Sequence, residues 1–215
     1  MGNKAMLNSK AFAQFVRDAF QKSIEAKMAF MEGDGPENVA QMAEVIAKAF
    51  AGGKKMMLCG NGGSAADAQH LAAECLVRLR PTHNRDALPA FSLATDTSML
   101  TACGNDYGFD DIFSRPLAAL AQPGDVLLSI TTSGNSLNVI RAMKMARDLG
   151  VTTLGFLGCG GGEALALSDC AFVVPSSDPG RIQEAHITAG HTMIALVEEI
   201  LVADKFIELN VRTEA

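Results

Sequence analysis

Asp125-Val-Leu-Leu-Ser-Ile-Thr-Thr-Ser-Gly-Asn-Ser136 is the stretch of this sequence that decides the fold. An apolar run of strand length passes directly into a turn rich in hydroxyl side chains, and a helical pattern begins at Leu137. The hydroxyl residues are Thr131, Thr132, Ser133 and Ser136. This order predicts an anion site, because the first amide groups of a helix have no internal partner and the helix dipole favours negative charge.

The turn at residues 131–136, called the hydroxyl turn below, contains no lysine or arginine. Binding would therefore depend on neutral hydrogen-bond donors, which suits a phosphate monoester on a small metabolite that must be bound and released. The alternative is an ordinary α/β helix whose N-terminus is capped by serine or threonine. A cap needs a single hydroxyl, however, so the larger number in this turn favours phosphate.

Outward from this stretch, apolar strands alternate with helical segments. The predicted strands are Lys55–Cys59, Pro89–Ala94, Val126–Thr131, Thr152–Leu157 and Cys170–Val174. The predicted helices that follow them are Ala65–Leu79, Thr97–Cys103, Asn135–Leu149, Glu163–Ser168 and Arg181–Phe206. Such alternation predicts an α/β fold, a three-layer αβα sandwich around a five-stranded parallel sheet. Ligands bind such sheets at the C-terminal ends of the strands.

Two further helices precede the first strand. Apolar residues recur at helical spacing through residues 8–31 and again from Pro36 to about Ala51. We therefore divide the chain into an N-terminal helical pair, residues 1–52, and one structural unit, residues 53–215. The pair has no strand of its own to cover, so it packs either across a partner subunit or as a simple extra layer.

Composition restricts the class of protein. The chain has 215 residues, 48% of them hydrophobic, and a net charge of −6, which argues against nucleic acid as the main partner. Its 5 cysteines at irregular spacing suggest reduced thiols. The N-terminus is polar and has no apolar core long enough for a signal peptide, and no run approaches the ~18–20 apolar residues of a membrane span. We therefore expect a cytoplasmic protein without a membrane partner.

A second loop, Gly60-Asn-Gly-Gly-Ser64, follows the first predicted strand and opens a helix. Its glycines let backbone amides approach a ligand closely, and Asn61 and Ser64 add polar side chains. The spacing differs from the dinucleotide-binding fingerprint. A tight strand-to-helix turn would need the same residues, but together with the hydroxyl turn this glycine loop predicts one pocket at the same edge of the sheet.

Most histidines of the chain fall in two helices. His70 and Glu74 stand at i and i+4, on one helical face, and the last helix carries Gln183, His186 and His191. Two imidazoles with carboxylate and amide groups can hold a divalent ion such as zinc. Eight residues separate Gln183 from His191, about 12 Å along a helix, so both reach one ion only if it lies between them.

Two other interpretations of these residues stay open. Without a metal, Glu74 would act as a base and His191 as an acid. Alternatively, the polar residues line a subunit interface. The acidic pair Glu198-Glu199, further along the same helix, is expected on a solvated face.

Four motifs together resemble a known family. They are Gly60-Asn-Gly-Gly-Ser64, Gly104-Asn-Asp-Tyr-Gly-Phe-Asp-Asp-Ile-Phe-Ser-Arg115, Thr131-Thr-Ser-Gly-Asn-Ser136 and Arg181-Ile-Gln-Glu-Ala-His186. The family is the phosphoheptose isomerases, which are sugar isomerase (SIS) domain enzymes, and the resemblance covers nearly the whole chain. It implies interconversion of sedoheptulose 7-phosphate and D-glycero-D-manno-heptose 7-phosphate, on the way to the heptose of bacterial lipopolysaccharide. It also implies a cytoplasmic homotetramer with subunit contacts through the N-terminal helices.

The resemblance also implies roles for individual positions. The implied ligands of one zinc ion per subunit are His70, Glu74, Gln183 and His191. The implied substrate contacts are Asn61, Gly62, Gly63, Glu74, Asn105, Asp106, Thr131, Thr132, Ser133, Ser136 and Gln183. For the reaction itself, we expect Glu74 to act as the base through an enediol, and His191 either to act as the acid or to help hold an ion that polarises the oxygen. Arg78 falls near the position of the sugar phosphate. The sequence departs from the family where Thr131 replaces a common serine and Pro179 a hydroxyl residue.

Two other functions fit parts of this pattern. Some SIS-domain relatives are regulatory proteins that bind the replication initiator and lack the isomerase site, whereas the implied ligand set is complete here. An isomerase of another phosphosugar, such as a hexose or pentose phosphate, would differ mainly in pocket depth, which the sequence does not reveal.

Overall fold

Five short strands lie side by side in one parallel sheet within residues 9–209, the part of the chain that the computed structural model describes. They are β1 Met56–Gly60, β2 Ala90–Ser92, β3 Val126–Thr131, β4 Thr152–Leu157 and β5 Cys170–Val173. The order across the sheet is β2-β1-β3-β4-β5, and each neighbouring pair is parallel. The predicted fold class is confirmed.

The helices alternate with these strands after an N-terminal pair. They are α1 Ser9–Glu32, α2 Gly35–Ala51, α3 Gly63–Leu76, α4 Thr97–Asp106, α5 Ser114–Leu120, α6 Leu137–Asp148, α7 Gly162–Leu167 and α8 Pro179–Ala203. α5 and the 3-10 turn before it at Phe109–Asp111 were not predicted. α3 ends at Leu76, three residues before its predicted end at Leu79.

Alternate residues of the central strands face opposite helical layers. In β1, Met56 and Leu58 belong to a core shared with α2, α3 and α8, whereas Met57 and Cys59 belong to a second core with α4, α5, α6 and α7. Every residue of β3 is buried. The sheet therefore has helices on both faces, and its C-terminal edge carries the loops that form the site.

The two N-terminal helices differ in burial. α2 packs against α8 and β5 and buries one face, whereas α1 leaves a row of apolar side chains exposed. The exposed residues of this row are Phe12, Phe15, Val16, Phe20, Ile24, Met28 and Met31. An exposed apolar surface of this kind is typical of protein–protein contacts. The division of the chain at residue 52 stays a prediction, and its two outer ends, residues 1–8 and 210–215, lie outside the described residues.

α8 is a long helix of 25 residues that belongs to the core. Among the described helices, it alone is long and apolar enough by length and composition to suit a membrane span. Half of that apolar window is nevertheless buried inside the protein, against α2, α3 and the sheet. The helix places His186 in this interior and Gln183 and His191 at its half-buried margin, and so positions part of the site.

Candidate functional site

The glycine loop and the hydroxyl turn meet because β1 and β3 are neighbours. Gly60, the last residue of β1, pairs with Ile130 of β3. The Asn61 amide donates a hydrogen bond to Asn138 Oδ1 and accepts one from Asn138 Nδ2, both at 2.8 Å. Sequence reasoning missed Asn138, although its signal was a polar residue on the apolar inner face of α6. These two bonds join the glycine loop to the helix that begins at the hydroxyl turn.

The serine at the end of the hydroxyl turn does not act as an ordinary helix cap. Ser136 is the N-cap residue of α6, but its hydroxyl makes no capping bond within the described chain. Thr131 Oγ1 lies 3.3 Å from Ser136 Oγ and 3.5 Å from Ser133 Oγ. This clustering favours a ligand with several acceptor oxygens over the capping interpretation, and a phosphate group has that chemistry.

Close contact with the β4–α7 loop fixes the shape of this turn. Gly134 has a φ of +68°, and a Cβ atom at that position would lie 2.0 Å from the Gly161 carbonyl oxygen. The Gly134 amide donates to Thr131 Oγ1 at 3.2 Å. Only glycine satisfies both the positive φ and the contact, so the loop orients the hydroxyl groups.

Three of the implied zinc ligands come together between α3 and α8. His70 Nε2 lies 2.8 Å from His191 Nε2 and 3.4 Å from Glu74 Oε1. Their ligand atoms all lie within 4.8 Å of one another. Ligands about 2.0–2.1 Å from a tetrahedral zinc lie about 3.3 Å apart, so this group, called the His–Glu–His group below, fits one ion after small side-chain shifts.

Gln183 lies against a different part of α3. A Cβ atom at Gly63, the first residue of that helix, would be 2.7 Å from Gln183 Nε2 and 2.8 Å from its Oε1. Gly63 stands seven residues before His70, about two helical turns. The Gln183 amide therefore borders the glycine loop, where a substrate contact is natural, and reaches the His–Glu–His group only by reorientation.

A glycine allows α3 and α8 to approach closely at this site. A Cβ atom at Gly190 would lie 2.7 Å from both methyl groups of Leu71. These two residues directly neighbour His191 and His70 in the sequence. The short distance between the two imidazoles thus depends on the absence of a side chain at Gly190.

Comparison with known proteins agrees with this architecture. The profile of the SIS domain family matches residues 19–158. A phosphoheptose isomerase of Aquifex aeolicus is 52% identical over 186 residues, which are 86% of this chain and 96% of that protein.

The chain belongs to the phosphoheptose isomerase family of SIS-domain proteins.

Solved structures of two phosphoheptose isomerases share its fold. The isomerase of Neisseria gonorrhoeae superposes with a TM-score of 0.82 at 41% identity, covering 87% of this chain and 99% of that one. The isomerase of Francisella tularensis also gives a TM-score of 0.82, at 34% identity, with 87% and 98% covered. The resemblance to phosphoheptose isomerases read from the four sequence motifs is therefore confirmed.

Three other implied phosphoheptose isomerase positions lie at the margin of the site. Asn105 and Asp106 are exposed at the end of α4, and Asn105 Nδ2 donates to Asp106 Oδ1 at 2.8 Å. Arg78 donates to the Pro81 carbonyl at 3.4 Å. In the described part of the chain, no recorded hydrogen bond joins these side chains to the hydroxyl turn, so their roles stay predictions.

Two ionisable groups with shifted pKa values lie beside this site. His186 is fully buried, and Nε2 lies 3.0 Å from the Leu157 carbonyl at the end of β4. Burial lowers the pKa of His186 to about 4, so the neutral ring donates to that carbonyl. Burial also raises the pKa of Asp67, one turn before His70, and His70 offsets this in part. Sequence reasoning missed Asp67, whose position three residues from His70 was the available signal.

Proposed function

We propose that this protein isomerises sedoheptulose 7-phosphate to D-glycero-D-manno-heptose 7-phosphate, in the cytoplasm, for bacterial heptose and lipopolysaccharide synthesis. The observation that carries the proposal is the joint presence of a hydroxyl turn suited to phosphate and a His–Glu–His group. Both features occur in a chain that is 52% identical to a phosphoheptose isomerase. A regulatory SIS-domain protein would need the turn but not the His–Glu–His group.

The hydroxyl turn would hold the phosphate end of the sugar. Hydroxyl groups and the amides at the start of α6 would stabilise the phosphate charge by hydrogen bonds and the helix dipole, without a lysine or arginine. Asn61 and Gln183 border the same pocket, the first through its pairing with Asn138 and the second against Gly63. Binding energy gained at the phosphate would orient the reacting carbons at the other end.

Aldose–ketose isomerisation moves one proton between C1 and C2 and another between the two oxygens. Glu74 is the proposed base: its side chain is 19% exposed, so it is shielded from water yet open to a ligand. It removes the C1 proton of the ketose, and an enediol forms. The same carboxyl group then returns the proton to C2. His191 transfers the second proton from one oxygen to the other. Both residues act in this way only while their reacting atoms are free of a metal ion, so each would swing between ligand and proton-transfer roles, and both end the reaction as they began.

We propose zinc as the resident ion, one per subunit. His70, Glu74 and His191 would hold it, and Gln183 is the fourth ligand that the family resemblance implies. Two imidazole nitrogens and one carboxylate within 4.8 Å are a donor set that zinc accepts. When bound, zinc supplies Lewis-acid polarisation of the substrate oxygen.

We also propose a homotetramer. The support is the exposed apolar row on α1 together with a neighbouring apolar groove of about 360 Å³ between α1, α2 and α8. A surface of this kind is stabilised when another subunit covers it. Light scattering of the purified protein tests this, and a monomer at micromolar concentration would contradict it.

The isomerase proposal is tested by incubating purified protein with sedoheptulose 7-phosphate and following the aldose product. Activity should disappear with a chelator and return with added zinc. A pentose 5-phosphate serves as the control substrate for sugar length. Absence of product after zinc is restored, in a folded protein, would contradict the proposal and favour a binding protein.

A further inference from the structure

Arg85 is a fully buried arginine that contacts the C-terminal end of α3. Its Nη2 donates to the Glu74 carbonyl at 2.9 Å and its Nη1 to the Cys75 carbonyl at 2.9 Å. Its side chain is 0% exposed. The last carbonyl groups of a helix have no internal donor, and a cation there also interacts well with the helix dipole. Arg85 therefore holds the backbone of the residue proposed as catalytic base.

The same guanidinium group reaches across to α8. Arg85 Nε donates to Glu198 Oε1 at 2.7 Å, and the Glu198 side chain is also 0% exposed. Glu198 stands seven residues after His191, about two turns along one helical face. The expectation that Glu198 is solvated is wrong, because the segment between α3 and β2 folds over it. Arg80 from that segment donates to the second carboxylate oxygen at 3.1 Å.

We infer that Arg85 is a positioning residue that sets the register of α3 against α8, and thereby the geometry of Glu74, His70 and His191. The inference rests on the proposed function. The reason is connectivity: one rigid group joins the carbonyl of Glu74 to the helix that carries His191. A planar guanidinium with several donors in fixed directions can make these bonds together, whereas a lysine ammonium cannot reproduce the geometry.

Arg85→Lys tests this inference, because it keeps the charge but loses the planar fork. The matched control is Asp125→Asn, which weakens another ion pair whose carboxylate is buried. Lys55 Nζ lies 2.6 Å from Asp125 Oδ2, and the Asp125 side chain is 1% exposed. This pair lies at the start of β1 and β3, the edge of the sheet opposite the site. Both variants should lower stability towards urea, but only Arg85→Lys changes a residue that contacts α3 and α8, the helices of the site.

Cobalt(II) serves as the probe ion, because its visible absorption reports ligand geometry. Arg85→Lys should weaken cobalt binding and reduce kcat, each by about 10- to 100-fold, the usual effect of losing a group that orients metal ligands. Its cobalt spectrum should change, and KM should stay nearly constant because the hydroxyl turn is untouched. Asp125→Asn should keep the wild-type spectrum, affinity and kcat.

Wild-type cobalt affinity and spectrum in Arg85→Lys would overturn the inference. Equal losses in Asp125→Asn would also overturn it, since they would show a general effect of stability. If Arg85→Lys does not fold, Glu198→Gln replaces it with the same expected direction and the same criteria.

Amide hydrogen exchange separates this inference from the proposed function. In metal-free protein, Arg85→Lys should accelerate exchange in the last turn of α3 selectively, and Asp125→Asn should not. That result needs neither metal nor substrate. A wild-type protein that neither binds cobalt nor isomerises the sugar would therefore refute the proposed function, whereas unchanged exchange in Arg85→Lys would refute the role of Arg85.

Discussion

Gly190→Ala is the substitution whose effect follows most directly from the structure. In most helix interiors this change stabilises a protein by about 0.5–1 kcal/mol, because glycine loses more backbone entropy on folding. Here the new Cβ atom would lie 2.7 Å from the Leu71 methyl groups. Ordinary carbon contacts are about 3.5–4.0 Å, so α3 and α8 must separate by about 1 Å or Leu71 must leave its rotamer.

We expect the sign of the stability effect to reverse. Overpacking of this kind costs about 1–3 kcal/mol, which exceeds the helix-propensity gain. Because Leu71 is fully buried in the core, it has little room for another rotamer, so the helices should separate and the distance of 2.8 Å between the His70 and His191 Nε2 atoms should lengthen by about 1 Å. Misplacement of that size can lower turnover by about 100-fold. Urea unfolding measures the first effect and initial rates with sedoheptulose 7-phosphate the second.

Two companion variants make this test specific. Gly104→Ala, within α4, adds a Cβ atom with no neighbour within 4 Å, so it should stabilise the protein by about 0.5–1 kcal/mol. Leu71→Ala combined with Gly190→Ala should be less destabilising than the sum of the two single changes, because the first removes the group that the second strikes. A Gly190→Ala protein that is more stable than wild type and fully active would refute the reasoning.

Three other predictions concern separate parts of the site. Glu74→Gln should reduce turnover by about 100-fold or more, while calorimetry still detects sugar-phosphate binding. Near-normal turnover would contradict the role of Glu74 as base. Glu163→Gln, which removes a carboxylate from the exposed ion pair with Lys144, is the control. Gly134→Ala should raise KM more than it lowers kcat, because the clash with Gly161 displaces the hydroxyl turn; steady-state kinetics decide this. Burial lowers the pKa of His186 to about 4 from 6.5, so between these pH values the unfolded chain binds a proton that the folded protein does not. The free energy of unfolding should therefore fall as the pH drops from about 6.5 to 4, by at most about 1.4 kcal/mol per pH unit. Urea unfolding across that range should show a flatter profile for His186→Gln.

Sequence patterns predicted the sheet because each strand carries a physical signal of its own. Continuous apolar runs such as Val126–Thr131 indicate strands buried on both faces, and the helices between them impose parallel pairing. α5 gave no comparable signal: it has 7 residues and contains Pro116, which is tolerated near a helix N-terminus but usually marks a break.

The candidate site was predictable where its members share an element or follow strands that end at the same edge of the sheet. His70 and Glu74 face one way because they are one turn apart on α3. Arg85 and Glu198, by contrast, lie 113 residues apart, and each alone resembles a surface residue. Their contact depends on how the segment before β2 folds back over α8, which no local periodicity encodes.

The pairing of β1 with β3 has a consequence for how the protein reaches its native state. Met56 pairs with Val126 and Gly60 with Ile130, so about 70 residues must be ordered before the glycine loop meets the hydroxyl turn. The His–Glu–His group spans an even longer segment, from His70 to His191. Chains whose native contacts are so distant in sequence fold slowly, because loop-closure entropy is lost before the contacts form. Catalytic activity should consequently appear only in the last steps of folding, after most helices have formed.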